Sequence, residues 1–302
     1  MYSMFQCSFC FCAILFTGFA RSAPTTSKWR PVVLMHGMNG DASELNKIKM
    51  ALEETYPGIY VHNLDILPKL NSLLKSIPHQ MEKIVDTIRA DDKLRDGFNF
   101  YGESQGALEA RIYVTQYNDP PVYNLVALNG PQAGVGECPT IEWPGVKQAC
   151  ADLGASIAIY DWPFCSFCNF WKDNRNQEEY QKKSKWLAAS NNEQGAYGHV
   201  NQTYVKNMEG LNQYMVTRAM RDEIVQPSYS AFHQYWAWGD AKRDDSKIPK
   251  FQETEGYKTN ALGLKTLYDR GDMIFNAFNG THTKYNMSWW RKHVLKMFNN
   301  TL

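Results

Sequence analysis

Short apolar runs alternate with amphipathic stretches through the first half of the chain. Pro31-Val32-Val33-Leu34-Met35 is almost continuously apolar, as a parallel strand buried on both faces must be. Asp41 and Ser43 can cap a helix that runs through Thr55 and stops at Pro57-Gly58. Ile59 to Leu64 reads as a second strand. Ile77, Met81, Ile84, Val85 and Ile88 recur at helical spacing and predict an amphipathic crossover helix. Phe98–Tyr101, Val122–Leu128 and Tyr214–Thr217 read as further strands. Strands alternating with helices at this pitch predict an α/β fold, a mostly parallel sheet with right-handed crossovers and helices on both faces. The rhythm breaks after Gly130. From about residue 132 to 208 the chain carries Cys, Trp and charge without strand periodicity, which predicts a cap subdomain inserted between two core strands. Trp143, Trp162, Phe164, Phe167, Phe170 and Trp171 are its large apolar side chains, suited equally to an acyl groove or to the cap's own core.

One motif in this pattern carries chemistry. Gly102-Glu103-Ser104-Gln105-Gly106 follows the Phe98–Tyr101 strand and opens a helical segment. G-x-S-x-G at a strand-to-helix junction is the nucleophile elbow of the α/β-hydrolase fold, a sharp turn that lifts the serine hydroxyl out of the sheet. A serine hydroxyl needs an imidazole to take its proton, and the imidazole needs a carboxylate to fix its tautomer. In this fold the order is serine, acid, histidine. Asp222 stands just beyond the Tyr214–Thr217 strand, where such sheets place their chemistry, with Glu223 and Asp240 as competitors. His233, His282 and His293 follow it. His282 lies in a Gly-Thr-His-Thr loop before a terminal amphipathic helix (Ser288–Phe298), whereas His293 falls within that helix and His233 close behind the acid. His36-Gly37-Met38 leaves the first strand, so the backbone N–H groups of Met38 and Gln105 are candidates for an oxyanion hole.

Composition adds a compartment. The 302 residues carry a formal net charge of +1, which gives no electrostatic footprint for nucleic acid or an anionic membrane surface. Phe9 to Ala20 is apolar, too short to span a bilayer and ends in a small-x-small pattern, so residues 1–20 read as a secretory signal peptide despite an n-region without Lys or Arg. The remainder, 21–302, reads as one catalytic domain. Sequons at Asn201, Asn279, Asn286 and Asn299 suit the secretory pathway. Cys138, Cys150, Cys165 and Cys168 are what remain after removal of the leader. They predict two local disulfides, paired as Cys138–Cys150 and Cys165–Cys168, although Cys165-Ser-Phe-Cys168 also has the spacing of zinc ligands. No metal or cofactor is needed for the chemistry expected.

The chain resembles the lysosomal palmitoyl-protein thioesterases along nearly its whole length after the leader. The matching stretches are Pro31-Val-Val-Leu-Met-His-Gly-Met38, Pro57-Gly-Ile-Tyr-Val61, Gly102-x-Ser-Gln-Gly106, Asn124-Leu-Val and Leu187-Ala-Ala-Ser-Asn-Asn-Glu193. Asn201-x-x-Tyr204 with Lys206-Asn207, Ile224-Val225-x-Pro227 and Leu262-Gly-Leu-Lys265 match too. The resemblance implies Ser104 as nucleophile, Asp222 and His282 as acid and base, and Met38 and Gln105 as oxyanion donors. It also implies cofactor-free removal of long-chain fatty acyl groups from cysteine thioesters of proteins or peptides, and delivery to the lysosome. A secreted lipase or carboxylesterase acting on oxyesters, or an inactive lipid-binding relative, are the alternatives. Three positions depart from the family pattern: Glu103 replaces an apolar or aromatic residue, Gln226 stands where some members have a second acid, and Asn279-Gly-Thr precedes His282. An ionised Glu103 beside the nucleophile would oppose a developing oxyanion.

Overall fold

Six parallel strands form one sheet: β1 (Val32–Met35), β2 (Val61–Leu64), β3 (Phe98–Glu103), β4 (Val122–Leu128), β5 (Gln213–Ala219) and β6 (Met273–Phe278). Their spatial order is β2-β1-β3-β4-β5-β6, every neighbouring pair being parallel. The computed structural model describes residues 28–138, 160, 162–193 and 199–302. The expected leader 1–20, Cys150 and Trp143 lie outside those residues.

Alternation along each strand divides the core into two layers. Val33, Met35, Phe98, Phe100, Leu125, Ala127, Tyr214 and Val216 point to one face, where the helices Ile77–Arg89 and Gln105–Ile112 cover them. Val32, Leu34, Tyr101, Val126, Leu128 and Met215 point to the other, against the helix Asn46–Thr55 and the C-terminal Trp290, Val294, Met297 and Phe298. This explains the continuous apolar run of β1, all four of whose residues are fully buried. The expected capping by Asp41 is present: its carboxylate accepts the Ser43 N–H at 2.8 Å and opens a 3₁₀ turn (Ala42–Leu45) that runs into the helix Asn46–Thr55.

Two elements differ from expectation. β6 is an edge strand whose pattern (Asn276, Ala277 among apolar residues) buries only its ends, so it lacks a period-two signal. The terminal helix is split, an α-helix over Met287–His293 followed by a 3₁₀ turn over Leu295–Phe298.

The segment between β4 and β5 holds short helices (Ser166–Asn169, Gln177–Lys183, Leu187–Ser190) and a longer one (Gln202–Glu209). Phe167, Phe170 and Trp171 are buried and stack on one another at 5.4–5.7 Å, so these three are core. Trp162 and Phe164 stand in solvent. Cys165 and Cys168 are disulfide-bonded, which occupies both thiols that a zinc site would need. Cys138 is also in a disulfide; its expected partner Cys150 is beyond the described residues.

The turn that ends β3 depends on backbone crossing backbone. A Cβ on Gly106 would lie 2.4 Å from the His36 carbonyl oxygen and 2.6 Å from that of Met35. Neither oxygen sits on a flexible side chain, so the strand exit itself would have to move. Gly106→Ala is therefore expected to destabilise the fold by about 2–3 kcal/mol, read from the urea midpoint at unchanged slope.

Candidate active site

Ser104 occupies the junction between β3 and the helix Gln105–Ile112 with φ +56° and ψ −124°. That conformation costs a non-glycine residue roughly 1–3 kcal/mol and persists only where its surroundings enforce it. The Ser104 N–H is held by the Leu128 carbonyl at 2.8 Å. Gly37 lies so close that a Cβ there would be 2.9 Å from Ser104 Cβ and 3.5 Å from its Oγ. The first strand's exit loop is thereby pressed against the serine. Among the described residues, no acceptor takes the backbone N–H of Met38 or Gln105.

Three sequence-distant residues meet here. His282 Nε2 is 2.8 Å from Ser104 Oγ, and His282 Nδ1 is 2.8 and 3.0 Å from the two oxygens of Asp222. Asp222 is buried and also accepts the N–H groups of Ile224 and Val225 at 2.9 and 3.0 Å. Its carboxylate is thus saturated with donors while the imidazole is fixed between acid and hydroxyl. The Gln226 amide donates to the Asp222 carbonyl oxygen. A serine hydroxyl aligned on an imidazole that is itself oriented by a buried carboxylate can act as an activated nucleophile.

The competing candidates are engaged elsewhere. His233 is buried with Nε2 2.9 Å from the Tyr214 hydroxyl, and burial pushes its pKa well down. His293 stacks on Trp289 at 5.4 Å. Asp240 accepts the backbone N–H groups of Lys242 and Asp244, and the carboxylate that meets His282 Nδ1 is that of Asp222. Asn201, Asn279, Asn286 and Asn299 are all exposed. Asn201 and Asn286 in addition cap helices through their side chains.

The sequence profile of the family described as palmitoyl protein thioesterase matches residues 31–282, a span that runs from the first strand to the histidine of this relay. The chain belongs to the palmitoyl protein thioesterase family. Palmitoyl-protein thioesterase 3 of Dictyostelium discoideum is 34% identical over 257 residues, covering 85% of this chain and 86% of that one. Palmitoyl-protein thioesterase 1 of Caenorhabditis elegans is 30% identical over 299 residues, covering 91% and 96%. A lysosomal thioesterase of Homo sapiens is 26% identical over 273 residues, covering 88% and 86%.

For a palmitoyl protein thioesterase, Glu103 is the notable departure, and its surroundings are specific. It is buried, accepts the Tyr101 hydroxyl at 2.5 Å and is also hydrogen-bonded by the Tyr285 hydroxyl. Burial raises its pKa despite those donors, which favours the neutral acid. A protonated Glu103 places no charge against an oxyanion.

Residues not anticipated from sequence complete the site. Asn129, just past β4 with φ +53°, donates through its amide to the His282 carbonyl and so anchors the histidine loop. Its only sequence signal is its place in Leu128-Asn129-Gly130 at a strand's carboxyl end. Arg111 is completely buried. It donates to Gln132 Oε1 (3.0 Å), the Ser190 carbonyl (2.6 Å) and Asn191 Oδ1 (2.7 Å), tying the elbow helix to the β4–β5 insertion. Burial lowers its pKa to about 10.

The raised Glu103 pKa fixes a sign. Below the ordinary carboxylate range both folded and unfolded chains are protonated there. As pH rises the unfolded chain ionises first, so this group's contribution to stability is lost until the folded carboxyl ionises too. Glu103→Gln should therefore gain on wild type with pH. The difference in Tm, variant minus wild type, is expected to be more positive at pH 8 than at pH 5 in thermal unfolding.

Proposed function

We propose that this protein is a serine thioesterase that removes long-chain fatty acyl groups, palmitoyl among them, from cysteine thioesters of proteins or peptides. The observation that carries the reading is the Asp222–His282–Ser104 relay on the elbow of a chain in this family. In the first step Ser104 Oγ attacks the thioester carbonyl as His282 takes its proton, and Asp222 stabilises the imidazolium that results. The Met38 and Gln105 N–H groups hold the oxyanion; one such donor is typically worth about 3–4 kcal/mol in the transition state. Collapse breaks the C–S bond, the leaving cysteine sulfur takes the proton from His282 and departs as the thiol, and acyl-Ser104 remains. A water deprotonated by His282 then attacks the acyl-enzyme and releases the fatty acid.

The remaining assignments belong to the same proposal. Residues 1–20 act as the leader to the secretory pathway, 21–302 as the catalytic domain and 132–208 as its cap, with Asn201, Asn279, Asn286 and Asn299 as glycan acceptors. Lysosomal delivery is supported by the human relative's description as a lysosomal thioesterase. Among the described residues no helix is long and apolar enough to cross a membrane.

Hydrolysis of a palmitoyl thioester against its matched oxyester tests the reading. Turnover of the thioester that disappears in Ser104→Ala is expected, and preference for the oxyester would replace the thioesterase assignment by an esterase one. Asp222→Asn, which presents an amide to His282 and so favours the wrong tautomer, is expected to lower kcat by about ten-thousand-fold with KM little changed, measured by steady-state kinetics.

A further inference from the structure

Beneath the elbow lies a buried polar cluster that the chemistry above does not use. Gln105 Nε2 donates to Glu109 Oε1 (3.1 Å), to Gln80 Oε1 (3.0 Å) and, more weakly, to the Ser72 carbonyl (3.3 Å). Gln80 Nε2 donates to the carbonyls of Ser72 (3.0 Å) and Lys75 (2.8 Å). Ser72 Oγ accepts the Asn39 N–H at 2.7 Å and donates to the Lys69 carbonyl, while the Lys69 N–H reaches the Gly40 carbonyl at 2.7 Å. The cluster ends on the loop that contains Met38. Asn39 takes φ +60° there, a strained conformation that needs such support.

Glu109 terminates the cluster at the other end, on the elbow helix and fully buried. Its Oε2 and the Gln105 Oε1 have no donor among the described residues. These two oxygens sit on side chains already joined by Nε2 and Oε1. A carboxyl proton on Glu109 supplies a donor that this pair lacks, whereas a carboxylate would leave a bare charge among neutral amides. We infer that Glu109 is a positioning residue that works as the neutral acid, locking Gln105 and, through Gln80 and Ser72, the Met38–Asn39 loop that holds the oxyanion. The inference rests on the thioesterase reading.

Among the described residues the neighbourhood offers no counter-charge. The helix Leu70–Leu74 carries no titratable side chain, and Lys69 and Lys75 beside it are exposed. On Ile77–Arg89 the buried polar residue is Gln80; His79 is half-exposed, and Glu82, Lys83, Asp86 and Arg89 are exposed. Arg111 of its own helix is engaged with Gln132, Ser190 and Asn191. The His36 ring lies on the Gly37 carbonyl. The helix Ser166–Asn169, packed on Leu70–Leu74, contributes only its bonded cysteine. Burial accordingly raises the Glu109 carboxyl to about 8, against which the Gln105 hydrogen bond acts only weakly. Raising pH through that value converts the acid to an unpaired carboxylate and releases the loop.

The test is the pH dependence of kcat and KM for a palmitoyl thioester between pH 5 and 9.5, with the Ser104→Ala rate subtracted as the blank. Wild type should lose kcat above about pH 8 at constant KM. Glu109→Gln, a neutral isostere, should raise the ratio of kcat at pH 9 to kcat at pH 6 at least fivefold over wild type. Glu109→Met, which neither ionises nor hydrogen-bonds to Gln105 as an acid, should also flatten the profile but with a lower kcat throughout. An alkaline limb that survives in both variants would overturn the inference. So would a lower KM-governed rate with kcat untouched. Absence of Ser104-dependent turnover at every pH would instead overturn the thioesterase reading. Should Glu109→Gln fail to fold, the Met variant's profile decides alone.

Discussion

Everything at this site hangs on the distance of closest approach between two pieces of main chain. The carbonyls that end β1 pass within van der Waals range of Gly106, and the loop they lead into presses Gly37 against Ser104. Only residues without a Cβ allow that approach, so Ser104 and the His36–Met38 loop are fixed relative to each other by backbone sterics. The parallel register of β1 on β3, which pairs Met35 with Gly102, delivers both strand ends to the same level of the sheet.

The buried titratable groups around that contact are each held by specific hydrogen bonds. Glu103 is bonded by two tyrosines, His233 is deep against Tyr214, and Arg111 is surrounded by amide and carbonyl oxygens. Among the described buried carboxyls, Asp222 alone accepts two backbone N–H groups and faces an imidazole. Burial raises the pKa of both Glu103 and Glu109, so these two groups contribute more to stability in acidic than in neutral surroundings.

Much of this was legible in the sequence because it is written in local patterns. Buried parallel strands leave continuous apolar runs, and β1, β3 and β4 were found on that ground. The elbow announces itself by two glycines around a serine. His282 and Asp222 were reachable by chain order, though order alone could not separate His282 from His293; the loop before the last helix, and then the family likeness, did so. What stayed hidden depends on tertiary neighbours. β6 has a mixed pattern because it is an edge strand, and it is the element that carries the chain to His282. Asn129 looks like any turn residue until the histidine loop is seen above it. Glu103 read as a possible liability because its two tyrosines, one of them 182 residues away, have no sequence signal. The aromatic residues of the insertion could not be divided between core and surface without the packing of Phe167, Phe170 and Trp171.

Arg111 has a consequence for how the molecule can move. Its guanidinium ties the elbow helix to residues on both arms of the insertion, Gln132 at its start and Ser190-Asn191 further along. No carboxylate bonds it there, so lifting those arms would strand a cation in the protein interior unless water followed. Desolvation of that kind is costly enough to make the contact a rivet. The insertion is accordingly fastened down where it borders the nucleophile helix. This edge is the stationary jaw against which any displacement of the insertion would be measured.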